Sequence, residues 1–374
     1  MHDVVIVDAV RSPLAQVHRR GRGAGNHVGG LLAQTTAGLL RRVRLEPAAI
    51  GGTFGAGASL KQLRSDLCRS LSEIRDDAIV YQSGSSMEAA QSALQWIQED
   101  PGAVALVVSV NDIDARNSRA DGAMLSGEIQ RGLAAELVAA RWKLSRDDLD
   151  EYAARSCERS YECAIAGDYA PEIVPIVVPA DERTVEIVTG DELRSGAGLA
   201  DLEPAFHDTT LGLQHPEVRW SVTTGNSAAP AAGACAMLMM SSRRARELRL
   251  RPRAHLRALT AAPEDSILGV AGPPVTATKA ALQSYAGSVD QIDHFEIPET
   301  YASTVLAWQA EFKVMPDLLN PRGGALAMGR LAAADGMRAL VSMLGALEAT
   351  GGARGLLVGS EGRSVSRAMV VERC

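Results

Sequence analysis

The chain has 374 residues, of which 46% are hydrophobic, 22% are charged and only 4% are aromatic. This composition is typical of a soluble globular protein, and the formal net charge of −7 argues against nucleic acid as a partner. No apolar run reaches the roughly 18 residues that a membrane span needs, so we expect no membrane partner.

The five cysteines do not have the spacing of metal ligands, and the N-terminus lacks a signal-peptide pattern. The sequence therefore predicts that the protein has no metal site and is cytoplasmic.

Strand-like and helical segments alternate along the first part of the chain, which predicts layers of α/β type. The predicted elements are a strand at 4–9, a helix at 29–42, a helix at 84–97 and a strand at 104–110. Small residues such as Ser86, Ala89 and Ala93 lie on every side of the third element. A helix of this kind is normally enclosed between two sheets.

Residues 117–210 have a more polar character, and we interpret them as an excursion inserted into the first half of the chain. A charged amphipathic helix is predicted directly after Ser145, a residue type that favours the N-cap position. A strand is predicted at 172–178 and a polar loop after it. The chain then returns to the core with a predicted strand at 220–224 and a small apolar helix at 233–240.

The second half repeats the pattern of the first. The predicted elements are strands at 255–261, 294–297, 355–358 and 368–372, and helices at 277–285 and 329–347. The last of these helices is again rich in Ala, Gly and Met. Two halves that each contain an enclosed small-residue helix indicate internal duplication.

Several short motifs occur in order along nearly the whole chain, and together they resemble the thiolase superfamily. Residues 8–13 are similar to the opening D-A-x-R-T-P of that family, 222–227 to its V-T-A-G-N turn and 272–278 to its G-P-x-x-A-T. Residues 296–302 resemble E-x-N-E-A-F-A, and 323–336 resemble G-G-x-x-A-x-G-H-P-x-G-x-S-G.

The resemblance implies an α/β fold of five layers, αβαβα, with two duplicated halves and an inserted loop domain that covers an acyl-CoA. We assign 1–116 and 211–249 to the N-terminal half, 117–210 to the loop domain and 250–374 to the C-terminal half. It also implies a homodimer or a homotetramer. No cofactor is expected, and a coenzyme A thioester is the implied ligand.

The family's catalytic cysteine, histidine and second cysteine align here with Ser83, Arg330 and Ser360. A serine hydroxyl is much less acidic than a thiol, and an arginine is always charged and cannot accept a proton. The asparagine of E-x-N-E-A-F-A is replaced by Pro298, whereas the second acid of that motif is retained as Glu299. The usual thiolase chemistry is therefore not expected.

Each of these positions has more than one interpretation. Ser83 is either an acyl-accepting hydroxyl or a helix N-cap. Arg330 either holds a carboxylate or phosphate in the pocket or forms a salt bridge with Asp335 or Glu299. The glycine spacing around Ser360 also allows its neighbour to occupy the position of the second cysteine.

Candidate substrate-binding residues come from the same resemblance. Arg194 aligns with an arginine that lies near the CoA nucleotide, Ser227 adjoins a position that contacts pantetheine, and Gly132 belongs to a segment resembling the pantetheine loop.

Two functional hypotheses follow. In one, the protein is a thiolase-like acyltransferase relative that binds acyl-CoA or a similar thioester, its standard activity lost or replaced by altered acyl chemistry. In the other, it is a non-catalytic structural or binding subunit of a larger acyl-CoA-metabolising assembly.

Overall fold

The computed structural model describes residues 3–16, 28–57, 63, 79–111, 122–179, 184–265, 268–361 and 365–374. The strands are β1 (Val4–Arg11), β2 (Ala15–Gln16), β3 (Gly52–Ala56), β4 (Ile79–Ser83), β5 (Val104–Asn111), β6 (Ile176–Pro179), β7 (Val185–Val188), β8 (Ala231–Ser241), β9 (Ala254–Pro263), β10 (His294–Glu296), β11 (Arg354–Glu361) and β12 (Val365–Arg373). The helices are α1 (Val28–Val43), α2 (Ser86–Glu99), α3 (Gly122–Arg141), α4 (Arg146–Ala166), α5 (Thr209–Gln214), α6 (Ser242–Glu247), α7 (Val275–Tyr285), α8 (Ala302–Phe312), α9 (Ala325–Met328) and α10 (Asp335–Thr350).

The strands of both halves form one continuous mixed sheet in the order β10-β11-β12-β9-β1-β8-β5-β3-β4. The halves meet where β1 pairs with β9 in antiparallel register, Val5 opposite His255 and Ile6 opposite Ala254. β6 and β7 form a separate two-stranded sheet.

Two helices, α2 and α10, lie in the middle of the molecule, as the small-residue pattern predicted. They pack against each other, and their buried residues share one apolar cluster with strands from both halves. A side chain at Gly336 would place its Cβ 2.4 Å from Cγ of Met87, so only glycine permits this approach. α1 covers the outer face of one half and α7 and α8 cover the other, which gives the five α/β layers that the resemblance implied.

Several local predictions were wrong. Residues 233–240 form part of strand β8, because this apolar segment is buried between β1 and β5 and pairs with both. Residues 220–224 form a loop with a single bridge at Thr223, and the helix expected from residue 329 begins only at Asp335. The segment that resembled a pantetheine loop, residues 131–136, lies within helix α3. Ser145 does cap α4 as predicted, and Asp148 completes a capping box.

A buried cluster of ion pairs joins four segments that are separate in the sequence. Arg11 of β1 is fully buried and donates two hydrogen bonds to Asp191, at 2.7 and 2.8 Å. Its Nε also lies 3.3 Å from Glu172, whose other oxygen accepts from Arg322. Each guanidinium therefore has a carboxylate partner, which offsets the cost of burying these charges.

No helix among the described residues has both the length and the hydropathy needed to cross a bilayer. Within the same residues, no group of three or more His, Cys, Asp or Glu side chains is arranged to hold a metal ion.

The substitution Glu172→Gln is expected to destabilise the protein by about 3 kcal/mol, because it leaves two buried guanidinium groups with one charged partner fewer. Chemical denaturation measures the change. The control is Glu151→Gln, which removes an exposed partner of Arg155 and is expected to cost less than about 0.5 kcal/mol. Equal effects of the two substitutions would contradict the role assigned to the cluster.

The buried carboxyl of Glu296 is expected to make the stability of the protein depend on pH. Its side chain is buried, its Oε1 has no hydrogen-bond partner, and burial raises the pKa of its carboxyl from 4.5 to about 8. A carboxyl with a raised pKa in the folded state contributes stability at low pH, and this contribution is lost as the pH rises from about 4.5 to about 8.

Glu296→Gln is neutral at every pH, so its free energy of unfolding should fall less between about pH 5 and about pH 8 than that of the wild type. Denaturation curves across this range test the expectation, with the exposed Glu162→Gln as the control. Parallel pH profiles for Glu296→Gln and the wild type would show the prediction to be wrong.

Candidate functional site

A cavity of about 270 Å³ lies where the two central helices begin. Its wall is formed by the start of α2, the segment that follows β10, the first turn and a half of α10 and the end of β11. The N-terminal and C-terminal halves therefore both contribute to it. The motifs that resemble thiolase catalytic segments meet at this one place.

Ser83 is the last residue of β4 and lies one residue before the segment 84–87 that lines the cavity. Its Oγ is buried and has no hydrogen-bond partner. The N-cap of α2 is Ser85, whose hydroxyl accepts a hydrogen bond of 3.1 Å from the amide of Glu88. The interpretation of Ser83 as the N-cap is therefore wrong, because the helix begins two residues later than that role requires.

Glu299 lines the cavity, but both oxygens of its carboxylate already accept hydrogen bonds from the protein. Oε1 accepts hydrogen bonds from the Tyr152 hydroxyl at 2.8 Å and the Asn320 amide at 3.0 Å. Oε2 accepts from the Ser156 hydroxyl at 2.7 Å and the Leu326 amide at 3.0 Å. With four donors in place, this carboxylate is held as a fixed hydrogen-bond acceptor on the cavity wall.

Arg330 lies on the cavity wall, and its backbone is fixed by a short β-bridge. Its amide donates to the Ala229 carbonyl at 2.7 Å, and its own carbonyl accepts from Ala231 at 2.9 Å. The expected salt bridge to Asp335 or Glu299 is not formed. The oxygens of Glu299 are bound by other donors, and Asp335 Oδ1 accepts from the Leu331 amide at 3.0 Å.

Ser360 also lines the cavity, and its Oγ, like that of Ser83, is buried without a hydrogen-bond partner. Gly359, the alternative for this position, lies beside it on the wall. Pro298 contributes its ring and has no group that donates a hydrogen bond. The structure thus brings together Glu299, Arg330 and Ser360, with Ser83 directly behind them.

Sequence reasoning missed Arg338, which lies on the first turns of α10 and also lines the cavity. Only 3% of this residue is exposed, and neither its Nε nor its Nη1 has a hydrogen-bond partner. Asp335 is the nearest acid, with Oδ1 3.8 Å from Nε. In the sequence, the only signal for this pair was that Asp335 and Arg338 are three residues apart in a predicted helix.

The thiols and imidazoles of the described residues lie outside the cavity lining. Burial raises the pKa of the Cys157 thiol to about 11 and that of Cys235 to about 12, so both are protonated at neutral pH. His294 is hydrogen-bonded to Thr350, and burial lowers its pKa. None of these groups is placed to act as the nucleophile or the base of this cavity.

The three candidate substrate-binding residues lie outside the cavity lining. Arg194 donates hydrogen bonds of 2.8 Å to the carbonyls of Ser227 and Thr224, so it braces the turn at 223–227. The Ser227 hydroxyl is buried without a hydrogen-bond partner. Gly132 packs against Phe206, where a Cβ would approach the ring to 2.2 Å. A role of these residues in CoA binding remains a prediction.

Comparison with known proteins agrees with the motifs and the fold. A sequence profile of the thiolase N-terminal domain matches residues 4–243, and a profile of the thiolase C-terminal domain matches residues 250–373. The human mitochondrial 3-ketoacyl-CoA thiolase has a similar structure, with a TM-score of 0.86 over 100% of this chain and 99% of that one. At 20% sequence identity, this likeness shows the fold alone.

Curated relatives match over the full length. The steroid 3-ketoacyl-CoA thiolase FadA6 of Mycobacterium tuberculosis is 29% identical over 100% of this chain and 95% of its own. The 3-ketoacyl-CoA thiolases of Klebsiella pneumoniae and Marinobacter nauticus are each 30% identical, over 98% or more of both chains. Since the two profiles span nearly every residue, we conclude that this protein belongs to the thiolase family.

Proposed function

We propose that the protein binds an acyl-CoA, or a similar thioester, in the cavity beside Arg330, and that the family's cysteine–histidine–cysteine route does not operate there. The observation that carries this proposal is the composition of the cavity wall. The wall is formed by the segments that resemble thiolase motifs, but its polar side chains are arginines, hydroxyls and two carboxylates.

The chemistry of these groups supports binding over standard thiolysis. A nucleophile at the position of Ser83 needs a base to remove its proton. Its Oγ has no hydrogen-bond partner, so no base among the described residues contacts it. Arg330 is permanently charged, and Glu299 already accepts four hydrogen bonds.

A thioester nevertheless finds suitable partners in this cavity. Ser86 and Met87 lie in the first turn of α2, where the helix dipole favours a partially negative oxygen. Apolar side chains such as Met87, Ile297 and Val358 line the remaining wall. The carbonyl oxygen of a thioester matches the helix N-terminus, and its acyl group matches the apolar wall.

We further propose that the protein forms a homodimer, or a homotetramer built from such dimers, through strand β4. β4 lies at one end of the described sheet, and Ile79 and Tyr81 on it are each 47% exposed. An open edge with apolar side chains is a surface that a second strand covers. A two-fold axis at this edge would pair β4 with its own copy in antiparallel register.

Acyl-CoA binding and thiolysis are measured separately. Calorimetry with a panel of acyl-CoAs is expected to show binding, whereas acetoacetyl-CoA with free CoA should give no thiolysis above the background rate. Ser83→Cys alone should also stay at background, because the arginine at position 330 still cannot accept a proton. Thiolysis by the wild type at rates near those of thiolases would contradict the proposal.

Intact-mass analysis after incubation with the same panel distinguishes binding from altered acyl chemistry. We expect no covalent adduct and no release of free CoA. An adduct that disappears in Ser83→Ala would instead favour the alternative of an enzyme that transfers, hydrolyses or cleaves an acyl thioester. Absence of binding for every thioester would contradict both.

Tyr81→Asp is expected to convert the oligomer into monomers, because the two-fold axis brings the new carboxylates of both copies close together. Light scattering after size-exclusion chromatography measures the mass. Ile165→Asp, an exposed apolar position on α4, serves as the control and should leave the mass unchanged. A Tyr81→Asp protein that remains a dimer would exclude this edge as the interface.

A further inference from the structure

We propose that Arg330 and Arg338 form a carboxylate-binding subsite, and that the thioester which this cavity takes carries a free carboxylate on its acyl part. This inference rests on the proposed function, since it specifies the chemical class of the same ligand. It assigns a role to Arg338, for which the standard chemistry offers none.

The first observation is the state of the Arg338 side chain. The residue is 3% exposed and lines the cavity, yet Nε and Nη1 both lack a hydrogen-bond partner. A guanidinium has five N–H donors and cannot lose its charge. Leaving such a group buried with unsatisfied donors is costly, so a site that retains it favours a further anionic partner.

The neighbouring acids supply that partner only in part. Asp335 lies 3.8 Å from Nε, which is within ion-pair distance but beyond hydrogen-bond distance, and the same oxygen already accepts from Leu331. Burial raises the pKa of Glu296 to about 8, so this carboxyl is mostly neutral at pH 7. Glu299 is bound by four other donors.

Arg330 provides a second guanidinium on the same cavity. It comes from the bridge before α10, whereas Arg338 comes from the helix itself, so the two side chains approach the cavity from different elements. Among the described residues, no carboxylate lies within ion-pair distance of Arg330. A guanidinium group is planar and can donate two parallel hydrogen bonds. A carboxylate has two oxygens that accept such a pair, so these two arginines suit a carboxylate ligand.

The size and the remaining lining favour a carboxylate on a short acyl chain over a phosphate. The cavity has a volume of about 270 Å³, and apolar side chains such as Met87 and Val358 alternate with the charged ones. In a carboxylate at the end of a few methylene groups, the charged end can bind the arginines and the methylene groups can contact the apolar side chains. A phosphate ion would meet the arginines but leave the apolar wall without contacts.

Matched thioesters test the inference. Binding of glutaryl-CoA and pentanoyl-CoA, which have the same number of acyl carbons, is compared by calorimetry. We expect glutaryl-CoA to bind roughly 10- to 100-fold more tightly, as charge-assisted hydrogen bonds to a buried guanidinium predict. Arg330→Gln should abolish most of this preference while binding of pentanoyl-CoA stays nearly constant. Because Arg330 is only partly buried, the variant is expected to fold.

Two controls separate this site from general electrostatics. Arg141→Gln removes an exposed guanidinium outside the cavity and should keep the full preference. Arg338→Lys retains the positive charge but loses the paired N–H donors of the guanidinium. It should weaken the binding of glutaryl-CoA more than the binding of pentanoyl-CoA. Free glutarate should compete with glutaryl-CoA more strongly than inorganic phosphate does at the same concentration.

The possible failures are distinguishable. Equal binding of the two thioesters to the wild type would overturn the carboxylate subsite and leave the proposed thioester binding intact. Stronger competition by phosphate would also overturn it, because the arginines would then recognise a phosphate. If neither thioester binds, the proposed function fails, and the subsite falls with it.

Discussion

The geometry of the cavity depends on one buried carboxylate, that of Glu299, and on the four donors that surround it. Tyr152 and Ser156 come from helix α4, while Asn320 and the Leu326 amide come from the C-terminal half. The carboxylate of Glu299 thus links helix α4 to the C-terminal half of the chain at the cavity wall. Losing any donor would leave a buried charge underbonded, so these segments must keep their relative positions.

The same bonding fixes the shape of the cavity wall. A carboxylate with a donor on every side stabilises the scaffold that carries this wall. Arg330 adds a permanent charge to this wall, and a guanidinium cannot accept a proton.

The buried guanidinium of Arg338 lies in a mainly apolar environment. Packing alone would favour an apolar residue at this position on α10, because burying a charge whose donors are not all satisfied opposes folding. Most of the other buried residues of helix α10 are apolar, and they belong to the main hydrophobic cluster. Places where a local rule fails in a packed core are often functional, which is the reasoning behind the proposed anion subsite.

The sequence by itself determined the α/β class, the enclosed helices α2 and α10, the capping of α4 and the thiolase scaffold. These features depend on local patterns and on motifs that occur in a fixed order. Only the tertiary structure decided that residues 233–240 form a strand, because a continuous apolar run fits a buried helix and a buried strand equally well until its neighbours β1 and β5 are known. It also decided that Glu299 is bound by Tyr152 and Asn320, that Arg330 forms no ion pair within the described part of the chain and that Arg338 lines the same cavity. These facts concern pairs of residues far apart in the chain, and their contacts arise only when the layers pack.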